Sequence, residues 1–400
     1  MTTTRLVTAC GLLAGLTAAL PGQDGPAAGA PLRPPSVRAL AYSPDGAVLV
    51  ATVGWSGEPG AAAAWDVTTR KQLWVGRGPA GHPAAAFAPD GKSVVVADGT
   101  PTAVRLDPRT GKGLGKVGPH PKVVRACAFH PGTGLLATGS DGTIRLWDLA
   151  AGTVAREFKG GHPAEVSALV FSPDGRWLIS TGPDGTRGWD VAAGTELKDA
   201  VKQDRGTAVY GPTFVAPDRV LFGDNSATQH LLELPSGQEL LRYKGWGGGI
   251  AYAPALGVAA FHWHSPEVRV MDLAFRPPTA EESARVEKLL REFDDDSYAV
   301  RVAASKAMRG VGSAAEPALR RAAADGPSAE VRMRAREARK QILEEPLRTL
   351  KGHTARVGPM AFSPDGKVLA TGADDGTVRL WDPLTGAELA QLEVPTPTGR

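Results

Sequence analysis

Two cysteines in 400 residues, Cys10 and Cys127, can build neither a disulfide framework nor a cysteine-based zinc site, so stability has to come from packing. A charge of one sign is also missing. The balance of 45 basic and 42 acidic side chains leaves +3, too even for the electrostatic footprint of a nucleic-acid or anionic-lipid binder. The longest largely apolar stretch, Leu6 to Leu20, is short for a membrane span. It follows Arg5 and precedes Pro-Gly-Gln-Asp, and so reads as a secretory signal peptide over 1–20, with cleavage within 18–30 and a linker over 21–36. That reading predicts an exported protein, periplasmic or extracellular. Neither a phosphate-binding glycine loop in strand-to-helix context nor a Gly-x-Ser-x-Gly elbow occurs. What is abundant is glycine (49) and proline (33), about a fifth of the chain, the composition of a turn-rich globular protein.

Beyond residue 36 the chain repeats itself. Phe171-Ser-Pro-Asp-Gly175 and Phe362-Ser-Pro-Asp-Gly366 match, and Tyr42–Gly46, Phe87–Gly91 and Phe129–Gly132 are variants. Each lies between two apolar runs, and Pro-Asp-Gly supplies a hairpin turn: proline sets φ, aspartate bonds its own backbone, and glycine accepts positive φ. A second landmark follows each hairpin: Trp65-Asp66, Leu106-Asp107, Trp147-Asp148, Trp189-Asp190, Leu232-Glu233, Met271-Asp272 and Trp381-Asp382. The intervals are 41, 41, 42, 43, 39 and then 110, so one repeat has received about seventy extra residues.

These repeats resemble the WD-repeat β-propellers, bacterial members included, whose blades are four-stranded antiparallel sheets. The resemblance covers Val37 to Val394 outside the insertion. It implies an all-β, seven-bladed propeller over 37–275 and 346–394, with a tail at 395–400. It also implies buried hydrogen-bond sets joining a turn aspartate, the histidine before the first strand, a second-strand hydroxyl and the third-strand tryptophan. The matching residues are Asp141, His120, Thr138 and Trp147; Asp184, His162, Thr181 and Trp189; and Asp375, His353, Thr371 and Trp381. Asp-His-hydroxyl is also hydrolase chemistry. Recurrence in three blades argues for architecture, because a ring needs one staple per blade while an enzyme rarely needs three identical sites. The fifth repeat, Gly206 to Leu240, has neither the histidine, the turn nor the tryptophan, and is expected to be the least regular blade.

Over 276–345 the periodicity changes to helical. Thr279 with Glu282 forms a capping box, and Val286, Leu289, Leu290 and Phe293 share a face. Further helices are expected over Ser297–Arg309, over Ala314–Ala324 and after Ser328, where Val331, Ala335, Ala338 and Ile342 align. This stretch is similar to HEAT-type helical repeats. It falls in the connection between the third and fourth strands of blade six. Arg332, Arg334, Arg336, Arg339 and Lys340 crowd the last helix, where nearby carboxylates suit a solvated, ion-paired face.

Two candidate sites remain. His262, His264 and Glu267 come nearest to a metal site, but with too few ligands, and no metal or cofactor is expected. Trp55, Trp246, Trp263 and Arg356 fall in loops of one rim, where aromatics and arginine would concentrate binding energy. The leading expectation is a monomeric, non-enzymatic scaffold that binds proteins outside the cytoplasm, with no nucleic-acid partner and no membrane span. The alternatives are a propeller enzyme or small-ligand or metal binder using the channel mouth near His262 and His264, and a cytosolic regulatory scaffold.

Overall fold

The computed structural model of the chain describes residues 35–394, except 55–58, 81–83, 98, 159–161, 199–208, 245–247, 263, 274–277 and 345. The expected signal peptide and the tail lie outside these residues. Seven four-stranded antiparallel sheets span 36–80, 85–117, 126–158, 168–196, 209–244, 250–350 and 357–393. Within every sheet each strand pairs with the next in sequence, so each blade is a simple meander.

Blade seven shows how local chemistry makes one. Its strands are Val357–Phe362, Leu369–Ala373, Thr377–Trp381 and Glu388–Glu393. Between the first two, the Ser363 carbonyl accepts the Gly366 N–H at 2.8 Å, while the Ser363 hydroxyl donates to Asp365 at 2.6 Å and accepts the Val368 amide at 2.9 Å. Gly366 sits at φ +77°, a conformation costly for any residue with a Cβ. The turns at Ser43 and Ser172 repeat this bonding. The first strand is buried throughout and the fourth has a single buried residue, so apolar residues run continuously on the inner strand and thin out toward the edge.

Seven hydrophobic clusters lie one in each seam between neighbouring blades. Among the described residues no strand is exchanged between the first and last blades. A weak closing seam would follow if side-chain packing there were poor, but that seam buries Val37, Leu40, Leu380 and Leu392 together. There Val37 lies over Gly372, as Val166 lies over Gly139 between blades three and four. The ring closes with an ordinary interblade contact.

Blade five forms a complete sheet, with the departures from regular pairing confined to bulges. Among the described residues the shortest strand belongs to blade four, Thr195–Glu196.

Four helices, α1 (Ala280–Glu292), α2 (Tyr298–Arg309), α3 (Glu316–Asp325) and α4 (Ala329–Glu344), lie between the third strand (Val268–Asp272) and fourth strand (Arg348–Leu350) of blade six. They share a core that includes Val286, Phe293, Met308, Leu319, Val331 and Ile342. Thr279 and Glu282 make the capping box. The third helix begins two residues later than expected, after a 3-10 turn at Gly312–Ala315. Pro317 lies in its first turn, where a missing N–H costs nothing.

Asp272 ties this unit to the propeller. Elsewhere the landmark aspartate caps its own tight turn: Asp66 accepts the Thr69 amide at 2.8 Å, Asp107 that of Thr110 at 2.8 Å, and Asp382 that of Thr385 at 3.0 Å. In blade six that turn is replaced by the insertion. Asp272 instead accepts the Ser313 hydroxyl at 2.9 Å and the Ser313 amide at 3.2 Å.

Candidate functional site

In blade seven the four expected residues meet. His353 Nδ1 lies 2.9 Å from Asp375 and its Nε2 lies 2.8 Å from the Thr371 hydroxyl, which accepts the Trp381 indole N–H at 2.8 Å. A carboxylate only accepts, so Nδ1 donates and Nε2 receives the hydroxyl proton. Burial pushes the Asp375 carboxyl up, but hydrogen bonds from His353, Thr377 and the Thr354 amide outweigh it and hold it well below the carboxylate range. Thr371 is fully buried and Trp381 is 2% exposed.

Blade four builds the same set with one substitution. His162 bonds Asp184 at 2.6 Å, but its Nε2 and the Trp189 indole meet Ser180, at 2.9 and 2.8 Å. Thr181, the expected hydroxyl, points to the other face and bonds Ser167 at 3.1 Å. Successive strand residues face opposite sides, so a one-residue error exchanges the two. The spacing carried the signal: in blades three, four and seven the bonded hydroxyl lies 18 residues after the histidine.

Blade three closes only in part. His120 Nε2 meets Thr138 at 2.6 Å and the Trp147 indole donates to Thr138 at 2.7 Å. Asp141 does not join them. It pairs with Lys122 at 3.0 Å, and His120 Nδ1 is buried without a hydrogen-bond partner among the described residues. Burial, followed by the charge of Arg145, pushes this imidazole down to about 4.

Blade five carries a set that sequence reasoning missed. His230, on the third strand, bonds Asp224 at 3.2 Å and Glu239 at 2.7 Å, and its ring stacks on Phe222. Asp224 also accepts the Ser226 and Thr228 amides, at 2.8 and 2.9 Å. The histidine has moved from the loop before the first strand to the third strand, so the repeat pattern gave no signal for it.

The metal candidates diverge. His262 is 2% exposed and its Nε2 accepts the Gly249 amide at 3.2 Å. Burial, with Arg356 and His264 nearby, pushes it down to about 3. His264 adopts φ +40° and meets the Arg356 guanidinium at 3.2 Å, and Glu267 pairs with Lys351 at 3.0 Å. Among the described residues, no group of three or more His, Cys, Asp or Glu side chains could hold a metal ion.

Of the four rim residues, Trp55, Trp246 and Trp263 lie outside the described residues. Arg356 lies on the rim, 3.4 Å from Asp374 besides its contact with His264. At the opposite end of the ring, Tyr42, Phe87, Phe129, Phe171, Phe214 and Tyr252 crowd a cavity of about 50 Å³, too small for a substrate. Among the described residues no helix is long and apolar enough to cross a membrane.

The family model "WD domain, G-beta repeat" matches residues 111–148, 152–186 and 344–382. These are the stretches that hold His120, His162 and His353. Among curated proteins, the chain is similar to Ribosome biogenesis protein ERB1 of Yarrowia lipolytica, at 47% identity over 53 residues. It is also similar to Ribosome biogenesis protein ERB1 of Chaetomium thermophilum, at 54% over 44 residues, and to Protein Mut11 of Chlamydomonas reinhardtii, at 55% over 40 residues. These matches cover 12%, 11% and 10% of this chain, and only 6%, 6% and 11% of the relatives. The solved structure of the computationally designed Ika8 protein aligns with a TM-score of 0.54 at 21% identity, covering 89% of this chain and 86% of that one, a likeness of fold. Two expectations change. The relatives are eukaryotic and lend no support to a bacterial kinship. The ERB1 relatives are named ribosome biogenesis proteins, which points inside the cell, so the exported location read from residues 1–20 is withdrawn. The chain carries WD40 repeats within a seven-bladed β-propeller.

Proposed function

We propose that the chain is a non-enzymatic scaffold whose propeller rim receives protein partners and whose polar sets staple the blades. The enclosure of the Asp–His–hydroxyl sets carries this reading. A hydrolase needs its hydroxyl open to a substrate carbonyl. Here Thr371 and Ser180 are fully buried, and an indole N–H occupies the hydroxyl's remaining side. The partner surface is the rim of blades six, seven and one, where Arg356 and His264 meet; Trp55, Trp246 and Trp263, expected there from the sequence, lie outside the described residues. The helical unit in blade six, similar to HEAT-type repeats, offers a second platform. The relatives' names make a ribosome-assembly setting the first place to look for partners, and there the expected absence of a nucleic-acid partner becomes something to measure.

The test is crosslinking and affinity capture with the full chain from its own host, comparing the wild type with a variant carrying Trp246→Ala, Trp263→Ala and Arg356→Ala. Loss of at least one crosslinked protein from the folded variant supports the rim. Unchanged recovery of every partner removes it. A hydrolytic turnover abolished by Thr371→Val in protein that stays folded would overturn the non-enzymatic reading.

A further inference from the structure

The face of the helical unit formed by α2 and α4 is built unlike the rest of the surface. Tyr298, Val302, Ser305 and Arg309 follow one another at i, i+4, i+7 and i+11, a single stripe along α2. Met333, Arg336 and Lys340 run at i, i+3 and i+7 along α4. Between α2 and α4 lies an open groove of about 560 Å³. Eight large hydrophobic side chains are exposed among the described residues, and three of them, Tyr298 at 69%, Met333 at 54% and Val302 at 43%, gather on this one face. Val75, Leu114 and Val154 are scattered on the outermost strands of three different blades, as single exposed apolar residues commonly are.

The groove is also charged with one sign. Lys306, Arg309, Arg334, Arg336 and Lys340 line it, and among the described lining residues Glu337 is the single carboxylate. Arg334 is engaged by Glu330 at 2.7 Å, which also meets Arg301 at 3.5 Å, and the described lining charge remains predominantly basic.

We infer that the α2–α4 groove binds an acidic amphipathic helix of a protein partner, with apolar side chains set against Val302 and Met333 and flanking carboxylates against Lys306, Arg309 and Arg336. An exposed aliphatic floor with basic edges fits a helix that carries apolar residues at i, i+4 and i+7 between acidic ones. The 12 residues of α2 offer about 18 Å, room for some three turns of such a helix. Nucleic acid would use the charges but not the floor. Residues 1–34 and 395–400 lack the acidity the groove calls for: the first stretch contains one acid, Asp24, and the second none. This site is separate from the propeller rim and stands without it.

The probe is a fluorescent helix-forming peptide of about four turns, with leucines at i, i+4 and i+7 flanked by glutamates, titrated into the full chain. Controls are a scrambled peptide of equal composition and a version with lysine for glutamate. The acidic amphipathic peptide should bind at least about tenfold more tightly than either control. Val302→Ser with Met333→Ser, and separately Arg309→Glu with Arg336→Glu, should each weaken binding by about tenfold or more. Val75→Ser, on the outer strand of blade one, should leave binding unchanged, and circular dichroism should report intact helices in every variant. Four results overturn the proposal: no binding at peptide concentrations of about 100 µM; equal affinity for the scrambled peptide; displacement of the peptide by single-stranded RNA that binds the groove variants less well; and a concentration-dependent dimer broken by the same groove variants, which would make a second copy the occupant.

Discussion

Blades three and seven carry the same four residue types in the same order, yet only blade seven closes its polar set. The difference is one residue. The aspartate follows the histidine by 22 positions in blades four and seven, and by 21 in blade three. A strand advances about 3.3 Å per residue, so one step moves a carboxylate beyond hydrogen-bond reach. Asp141 turns to Lys122, and His120 keeps an unpaired nitrogen in a buried place. The hydroxyl and indole still meet in both blades because strand register, and not turn length, positions them. Ladder pairing tolerates variation that a turn-borne side chain does not.

Acid should widen this contrast most. With pKa values of about 4 and 3 in the folded chain, His120 and His262 stay neutral where the unfolded chain takes up protons below its usual 6.5. Their share of stability is complete above pH 6.5 and is lost as pH falls toward 4. Melting temperature measured from pH 7 to 4 should drop across that window, with a shallower slope in His120→Asn. An unaltered slope in that variant would remove blade three from the account.

Next in size, His353→Ala strips a buried carboxylate and a hydroxyl of a shared partner and should cost about 3 kcal/mol. His120→Ala breaks one side-chain bond and should cost about 1 kcal/mol, plus whatever packing the ring supplies. Equal shifts in urea midpoint for the two would mean that closure of the set adds nothing.

Within blade four, Ser180→Ala leaves both an indole N–H and an imidazole nitrogen unpaired, a loss of about 2 kcal/mol. Thr181→Val forfeits the bond to Ser167 and should cost about 1 kcal/mol. The opposite order in denaturant titrations would restore Thr181 to the set. The smallest effect belongs to Asp141. Asp375→Asn should cost about 1 kcal/mol, whereas Asp141→Asn, in an exposed pair, should change stability by less than about 0.5 kcal/mol. Comparable losses from both would argue that Asp141 reaches His120 in solution.

Most of the ring was legible because its signals are local. Ser-Pro-Asp-Gly turns and the 41-residue interval between third-strand landmarks locate the hairpins without knowledge of what they pack against. The helices of the insertion were legible through Thr279, Glu282 and the apolar spacing, apart from the 3-10 turn ahead of Pro317. The polar sets were legible only as residue types. Choosing Ser180 over Thr181 required the constant 18-residue offset, and excluding Asp141 required weighing a one-residue difference in spacing. The His230 set and the diversion of Asp272 to Ser313 left no local trace, since each joins a residue to partners the repeat does not specify.

The order of the chain alone determined that there would be seven small sheets and a helical unit between the last two strands of the sixth, because turn chemistry and apolar period act over a few residues. Tertiary structure decided which polar groups met: whether a carboxylate reached an imidazole, where a displaced aspartate found a donor, and that the first and last blades would join by the same valine-over-glycine contact used inside the ring. Hydrogen bonds of about 3 Å depend on positions accumulated across whole blades, and no short stretch of sequence carries those.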